Sequence, residues 1–290
     1  MTITGESRRA LGRLGIWMPP PARIGLEPGA YAREIERAGF GSVWVPGVNS
    51  AADLDALEPL LAATGRLVVA SGIASVWTWS PPELADRASR LARAYPGRFV
   101  LGLGVSHAPL VESTGQAYVR PLAKMRLFLD EMPATAAPVV LAALGPKMLE
   151  LSRDRSAGAH PYFSPPEHTA FARSVLGAQP LLVPEQAVTL EPGPAGQAAG
   201  RAYAKYYLRL PNYVANLRRF GFGYDDVAGE GSDRLISVLV PAGADAILAR
   251  VRAHLDAGAD HVLLQPVAEG GGFDAGRLPD LASVGDKLAG

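Results

Sequence analysis

Arg98-Phe99-Val100-Leu101-Gly102-Leu103-Gly104-Val105-Ser106-His107 is the stretch whose reading decides the fold. Its apolar β-formers read as a strand buried on both faces, the habit of parallel sheets. Two glycines interrupt the run, and without a Cβ they let another backbone or a flat ligand come close. The strand then meets Ser106 and His107, and Ala108-Pro109 stop the ladder because proline has no N–H to give. Chemistry in parallel α/β proteins gathers at such carboxyl ends. Ser106 and His107 are therefore the first candidates for a site.

Outward from this strand the pattern repeats as short apolar strand, turn and amphipathic helix. Leu14–Met18, Ser42–Val45 and Leu67–Ala74 precede it as strands one to three. Val139–Ala142, Ala159–Phe163, Leu181–Leu190 and His261–Gln265 follow as strands five to eight. Helices are expected over Ala30–Ala38, Asp53–Thr64, a Ser80-Pro81-Pro82-Glu83 start running to Ala94, Pro121–Met132, Gly145-Pro146 to about Arg155, and from Pro165-Pro166-Glu167. Strands alternating with helices imply a parallel sheet, and eight of them imply an α/β fold of the (β/α)8 TIM-barrel type. Between strands seven and eight, Gln197–Gly231 reads as a helical insertion above the barrel mouth. No linker divides residues 1–290, which are expected to form a single domain.

Composition narrows the function. Apolar residues make up 48% of the 290, enough for a large core, and 28 basic residues balance 28 acidic ones. That balance argues against nucleic acid or anionic membrane as a partner. No apolar run approaches the roughly 20 residues that span a bilayer. Met1–Arg13 lacks the apolar centre of a signal peptide, so a cytoplasmic enzyme is the default expectation. The chain has no cysteine, which excludes disulfides, thiolate nucleophiles and cysteine metal sites.

Candidate site residues sit at the strand ends. His107 titrates near working pH and is an acid–base candidate, or else a rim histidine holding loop backbone. Ser106 donates to a ligand carbonyl or caps a turn. No Gly-x-Ser-x-Gly elbow supports a serine nucleophile. His160 and His168 lack metal-ligand spacing, so no metal is expected. His160, beside Pro161-Tyr162, reads as a pocket wall. Glu185, on an apolar strand, is a satisfied buried carboxylate or a ligand contact. Gly145-Pro146-Lys147 offers free N–H groups to an anion or is an ordinary helix start. Trp77 and Trp79 cover a planar ring or pack a loop. The stripe Arg201, Tyr203, Lys205, Tyr206, Tyr207, Arg209 reads as a solvated helix with one packed face.

Together Arg66–Leu84 with Gly72-Ile73, Tyr95–Gly104, Leu141–Met148 and Ser156–Tyr162 resemble the bacterial-luciferase-like superfamily, most closely its coenzyme F420-dependent oxidoreductase branch. The resemblance implies an eight-stranded barrel with an insertion before strand eight, commonly a homodimer, holding a deazaflavin at the carboxyl ends. It implies a non-prolyl cis peptide bulge at Gly72-Ile73, running into Ala74, behind the cofactor ring. It implies a cofactor phosphate near Gly145 and Pro146, with Ser106, His160 and Glu185 among the cofactor contacts. Sugar-phosphate dehydrogenases of this branch carry Asp-His after strand two and glutamate after strand four. Here the chain reads Pro46-Gly47 and His107, so the small organic substrate is left open and His107 takes the proton role. Rival readings are an FMN-dependent luciferase-like monooxygenase and a non-catalytic flavin- or deazaflavin-binding protein. A lyase or isomerase ranks lower, because no Schiff-base lysine stands at a strand end.

Overall fold

The computed structural model describes residues 5–289; residues 1–4 of the polar stretch Met1–Arg13, and residue 290 of the expected domain, lie outside them. Ten strand segments are present: β1 Leu14–Trp17, β2 Ser42–Val45, β3 Val68–Ser71, β4 Ala74–Ser75, β5 Phe99–Gly104, β6 Val139–Leu141, β7 Gly158–Ala159, β8 Leu181–Leu182, β9 Glu185–Val188 and β10 Val262–Pro266. They form one parallel, barrel-like α/β sheet in the order β8-β7-β6-β5-β3-β2-β1-β10-β9, with β4 also on β5. All these strand residues are buried, as their unbroken apolar runs require in a sheet covered on both faces.

Proline sets most of the helix starts. Pro28–Arg37, Pro81–Ala94, Pro121–Glu131, Pro146–Arg155, Pro166–Leu176 and Pro211–Arg219 all open on it, where its missing N–H costs no intrahelical bond. The same chemistry corrects one expectation. Asp53–Thr64 is two helices, Ala51–Asp55 and Glu58–Ala62, because Pro59 cannot donate to the Asp55 carbonyl and its ring crowds it.

Strand three divides into β3 and β4 at Gly72-Ile73, whose peptide bond is cis. The gap this leaves on β5 is filled by one side chain. Ser71 Oγ accepts the Gly102 N–H and donates to the Gly102 carbonyl, both at 2.9 Å. A Cβ on Gly102 would lie 2.0 Å from the Ser71 carbonyl oxygen, and one on Gly104 would lie 2.6 Å from Ile73 Cγ1. The two glycines therefore make room for the neighbouring bulge, not for a ligand. Close backbone approach holds at Gly102, whereas at Gly104 the neighbour is the Ile73 side chain.

Strands six and seven are shorter than expected. Of Ala159–Phe163 only Ala159 belongs to β7; beyond it the His160 N–H donates to Leu141 at 2.8 Å and the Pro161 carbonyl accepts from the Glu185 N–H at 2.9 Å, before Phe163 turns the chain at φ +53°. Leu181–Leu190 is split into β8 and β9 around Val183-Pro184. This short break faces two neighbours: Val183 N–H donates to Ala159 at 2.9 Å, and the Pro184 carbonyl accepts from Leu263 N–H at 2.9 Å. The ladder order thus begins and ends on one stretch of chain.

Between β9 and β10 lie helices Gly193–Tyr207, Pro211–Arg219, Tyr224–Val227, Asp233–Leu239 and Ala244–Asp256. Leu208, Leu217, Phe222, Leu235 and Ile236 from these helices and their turns pack together against Phe163 and Ala187. At the opposite, amino-terminal end of the sheet, Asp260 receives Arg8 at 2.5 Å, Arg173 at 2.7 Å and the Leu182 N–H at 2.8 Å.

Candidate functional site

The carboxyl ends of the strands open into a cavity of about 690 Å³. Trp17 from β1, Gly47 and Asn49 after β2, Gly72-Ile73 after β3, Ser106-His107 after β5, Gly145–Lys147 after β6 and His160 and Tyr162 after β7 line it. Tyr206, Tyr207 and Tyr213 reach it from the helices that precede β10. Of the residues singled out from the sequence, Gly72, Ile73, Ser106, His107, Gly145, Pro146 and His160 meet in this one chamber. Ala74 and Glu185 are not part of its lining. Ala74 is buried opposite Leu103, and Glu185 lies behind the tyrosine wall.

Ser106 stands in the left-handed region at φ +56°, which costs an L-residue roughly 1–2 kcal/mol. Its carbonyl accepts from Tyr118 at 3.3 Å. Replacing it by glycine is expected to leave stability unchanged or raise it by up to about 1 kcal/mol, and Ser106→Val to lower it by about 2. Urea midpoints check both; a large loss with glycine would show that the side chain, not the turn, matters for folding.

His107 follows at the N-terminus of helix Ala108–Glu112, half-buried on the cavity. Burial pushes its imidazole below the ordinary histidine value, so it is neutral at pH 7. Its Nε2 lies 3.5 Å from the Tyr213 hydroxyl, and the two rings are 5.3 Å apart. A neutral imidazole here can take up a proton.

His160 is fixed by its Nδ1–H, which donates to the Val183 carbonyl at 2.7 Å, and by the Trp44 ring at 4.7 Å. Its Nε2 is then a bare acceptor with no partner in the protein, and burial holds its pKa near 4. Helix Pro146–Arg155 has no side-chain cap, and a Cβ on Gly145 would meet nothing within 4 Å. Lys147 also lines the cavity; since Pro146 has no N–H and Met148 donates to the Gly145 carbonyl at 3.1 Å, the Lys147 N–H is the donor this uncrowded helix start offers an anion. Trp77 and Trp79 do not line the cavity. Their indole N–H groups donate to the Val105 and Val48 carbonyls at 2.8 and 2.9 Å, so they pin the loop after strand three. Among the described residues no group of His, Asp and Glu could hold a metal ion, and no helix is long and apolar enough to cross a membrane.

The stripe Arg201–Arg209, helical to Tyr207, has one packed and one solvated face. Tyr203 and Tyr207, four residues apart on one helix, face inward and hydrogen-bond through the Tyr162 hydroxyl; Tyr206 is exposed. The i, i+4 spacing of two tyrosines was the available signal.

The glycine strand, the cis Gly72-Ile73 bulge beside it and the chamber they border form a recognisable set. Residues 27–132 match the luciferase-like monooxygenase family. That match covers 106 of the 290 residues, so the likeness is one of part of the chain. The "Putative coenzyme F420-dependent oxidoreductase" of Mycobacterium tuberculosis is 28% identical over 205 residues, 56% of this chain and 57% of that protein. The chain spans about half the length of the curated relatives it matches. Similarity of fold extends further than the sequence match. The coenzyme F420-dependent tetrahydromethanopterin reductase from Methanopyrus kandleri superposes with a TM-score of 0.69 at 17% identity, over 93% of this chain and 96% of that one. The oxygenating constituent of 3,6-diketocamphane monooxygenase from Pseudomonas putida, solved with FMN, gives 0.63 at 14% identity, over 94% and 96%. At these identities the shared property is the fold.

Proposed function

We propose that this chain is a coenzyme F420-dependent oxidoreductase acting on a small organic substrate, with His107 exchanging the proton that accompanies hydride transfer. We read its sheet as a (β/α)8 barrel whose seventh strand is broken at Val183-Pro184 and whose insertion precedes the eighth. The observation that carries the reading is the meeting of Gly72-Ile73, Gly145–Lys147 and His107 in one chamber, each from a different strand end. The residues fit the cofactor. Gly145–Lys147 would hold a phosphate, Gly72-Ile73 would back a flat ring, and the unpartnered His160 Nε2 would accept from a ring N–H or hydroxyl. A bound deazaflavin supplies two-electron hydride chemistry, since carbon stands where a flavin has its reactive nitrogen.

The protein's own part is to hold the reactants together and exclude water. Largely apolar walls, with Leu110, Leu122, Leu144 and Met148 among them, do the second. His107 receives the proton: its lowered pKa keeps it neutral and basic at pH 7, and the rate that depends on it falls as pH drops through that value. His107→Ala is expected to lower turnover by roughly 10²-fold or more while changing cofactor affinity less than about twofold. Loss of cofactor binding instead would make the residue structural. Fluorescence titration with coenzyme F420 and FMN in parallel tests the cofactor; preference for FMN would move the protein to the monooxygenase reading, and binding without any turnover to the non-catalytic one.

A further inference from the structure

One acidic group near the cavity has no place in that mechanism. Glu185 is 1% exposed and does not reach the ligand space. Its Oε2 accepts the Phe163 N–H at 3.2 Å, and its Oε1 lies 3.4 Å from the Tyr203 hydroxyl. Tyr203 in turn lies 2.8 Å from the Tyr162 hydroxyl, and Tyr162 lies 2.8 Å from both the Tyr207 hydroxyl and Gln265 Oε1. Tyr162 and Tyr207 line the cavity. A continuous line of oxygen atoms therefore runs from a buried carboxyl to the ligand space.

Gln265 Oε1 lies within reach of both Tyr162, at 2.8 Å, and Tyr203, at 3.3 Å. The three phenols carry three hydrogens for five close oxygen–oxygen pairs, so a proton on Glu185 supplies a fourth, which the carboxyl can donate to Tyr203.

We propose that Glu185 is a buried proton store for the cavity, connected to it through the hydroxyls of Tyr203, Tyr162 and Tyr207. When a ligand oxygen takes the Tyr207 hydrogen, Tyr162 turns its own from Gln265 to Tyr207, Tyr203 resupplies Tyr162, and Glu185 resupplies Tyr203. At each phenol one O–H bond breaks and one forms. The ligand gains one proton and Glu185 becomes a carboxylate, reprotonated from water along the same line. Glu185 acts through the phenols and is a positioning residue for the proton. Burial raises its carboxyl to about 8, against the lowering effect of the Phe163 N–H and Tyr203, so the proton is retained at pH 7. The titratable groups facing it are Tyr162, Tyr203, Tyr207 and Tyr213, all raised by burial and uncharged at that pH. Neutral His107 and protonated Glu185 thus equip one cavity with a base and an acid.

The inference rests on the proposed function only in taking the cavity as a ligand chamber, and its test uses no cofactor. In protein carrying ¹³C-labelled glutamate, infrared spectra at pH 7 should contain a buried carboxylic-acid band that Glu185→Gln removes. On transfer to D2O this band shifts as the proton exchanges. Tyr203→Phe and Tyr162→Phe should slow the shift at least tenfold, because each removes a hydroxyl through which the line from Glu185 to the cavity must pass. A merely structural carboxyl exchanges by local opening, which these variants would leave alone or accelerate. Absence of the band, or unchanged or faster exchange in both variants, overturns the proposal. Failure to bind coenzyme F420 leaves it standing.

Discussion

Lowering the pH from 6.5 towards 4 is expected to unfold the protein in one steep transition centred near pH 5. Burial holds His160, His168 and His261 near pKa 4 and His254 near 3, against about 6.5 in the unfolded chain. Each is fixed as a neutral ring. His168 bonds the Leu144 carbonyl at 2.9 Å, His254 sits between Thr169 at 2.8 Å and Gln186 at 3.0 Å, and His261 bonds Ser42 at 2.7 Å. Below pH 6.5 the unfolded chain binds protons that these folded rings refuse. Their stabilisation is present above 6.5 and is lost as pH falls towards the folded values. With four rings the slope approaches roughly 5 kcal/mol per pH unit. Glu185 works in the other direction: its folded pKa is raised, so its stabilisation is full below 4.5 and lost as pH rises to about 8. It offsets about one proton of the four between pH 6.5 and 5. A domain with a total stability of about 5–15 kcal/mol does not survive such a slope for more than a few pH units. Circular dichroism against pH, with urea midpoints at pH 7, 6 and 5, measures this directly. A midpoint that does not move between pH 7 and 5 would falsify the account.

Gly102→Ala is expected to cost about 3 kcal/mol or more, far beyond an ordinary glycine-to-alanine change in a strand. The added methyl would sit 2.0 Å from the Ser71 carbonyl oxygen, a backbone atom that no rotamer change can move aside. Relief requires β3 and β5 to separate at the point where Ser71 Oγ serves both polar groups of Gly102. Those groups would then be buried without partners, at roughly 1–3 kcal/mol each. The same displacement would carry Gly72-Ile73 away from the cavity, so any ligand backed by that bulge should bind at least tenfold more weakly in the fraction that folds. A denaturant midpoint within about 0.5 kcal/mol of the parent would show that the strands yield easily there.

The strands that were legible in the sequence are those that bury a continuous apolar run, such as Phe99–Leu103, Ser42–Val45 and Val262–Leu264. Strands six and seven were legible only in outline. Their pairing depends on Gly158 admitting the Leu181 carbonyl and on a break at Val183-Pro184, neither of which leaves a periodic signal. Ser106 and His107 line the cavity because a strand end fixes where its next residues go. The spacing gives the Tyr203 helix one packed face but not what it packs on, because the partners Tyr162 and Gln265 lie 41 and 62 residues from Tyr203. Helical periodicity states which face is alike, not which face is inside. Glu185 needed a third element, the helix bearing Tyr203, to separate a cavity contact from a carboxyl held behind it.

The pairing of β1 with β10, Leu14 opposite Val262, bears on how this chain is made. Strand β1 gains its second neighbour only when β10, about 250 residues later, has been made. Until then β1 presents an unpaired, wholly apolar edge, the kind of surface on which partly made chains associate. Arg8 and Asp260 seal the same gap from beneath, 252 residues apart. Closing the sheet between β1 and β10 thus joins segments far apart in the chain and carries a high loop-closure cost.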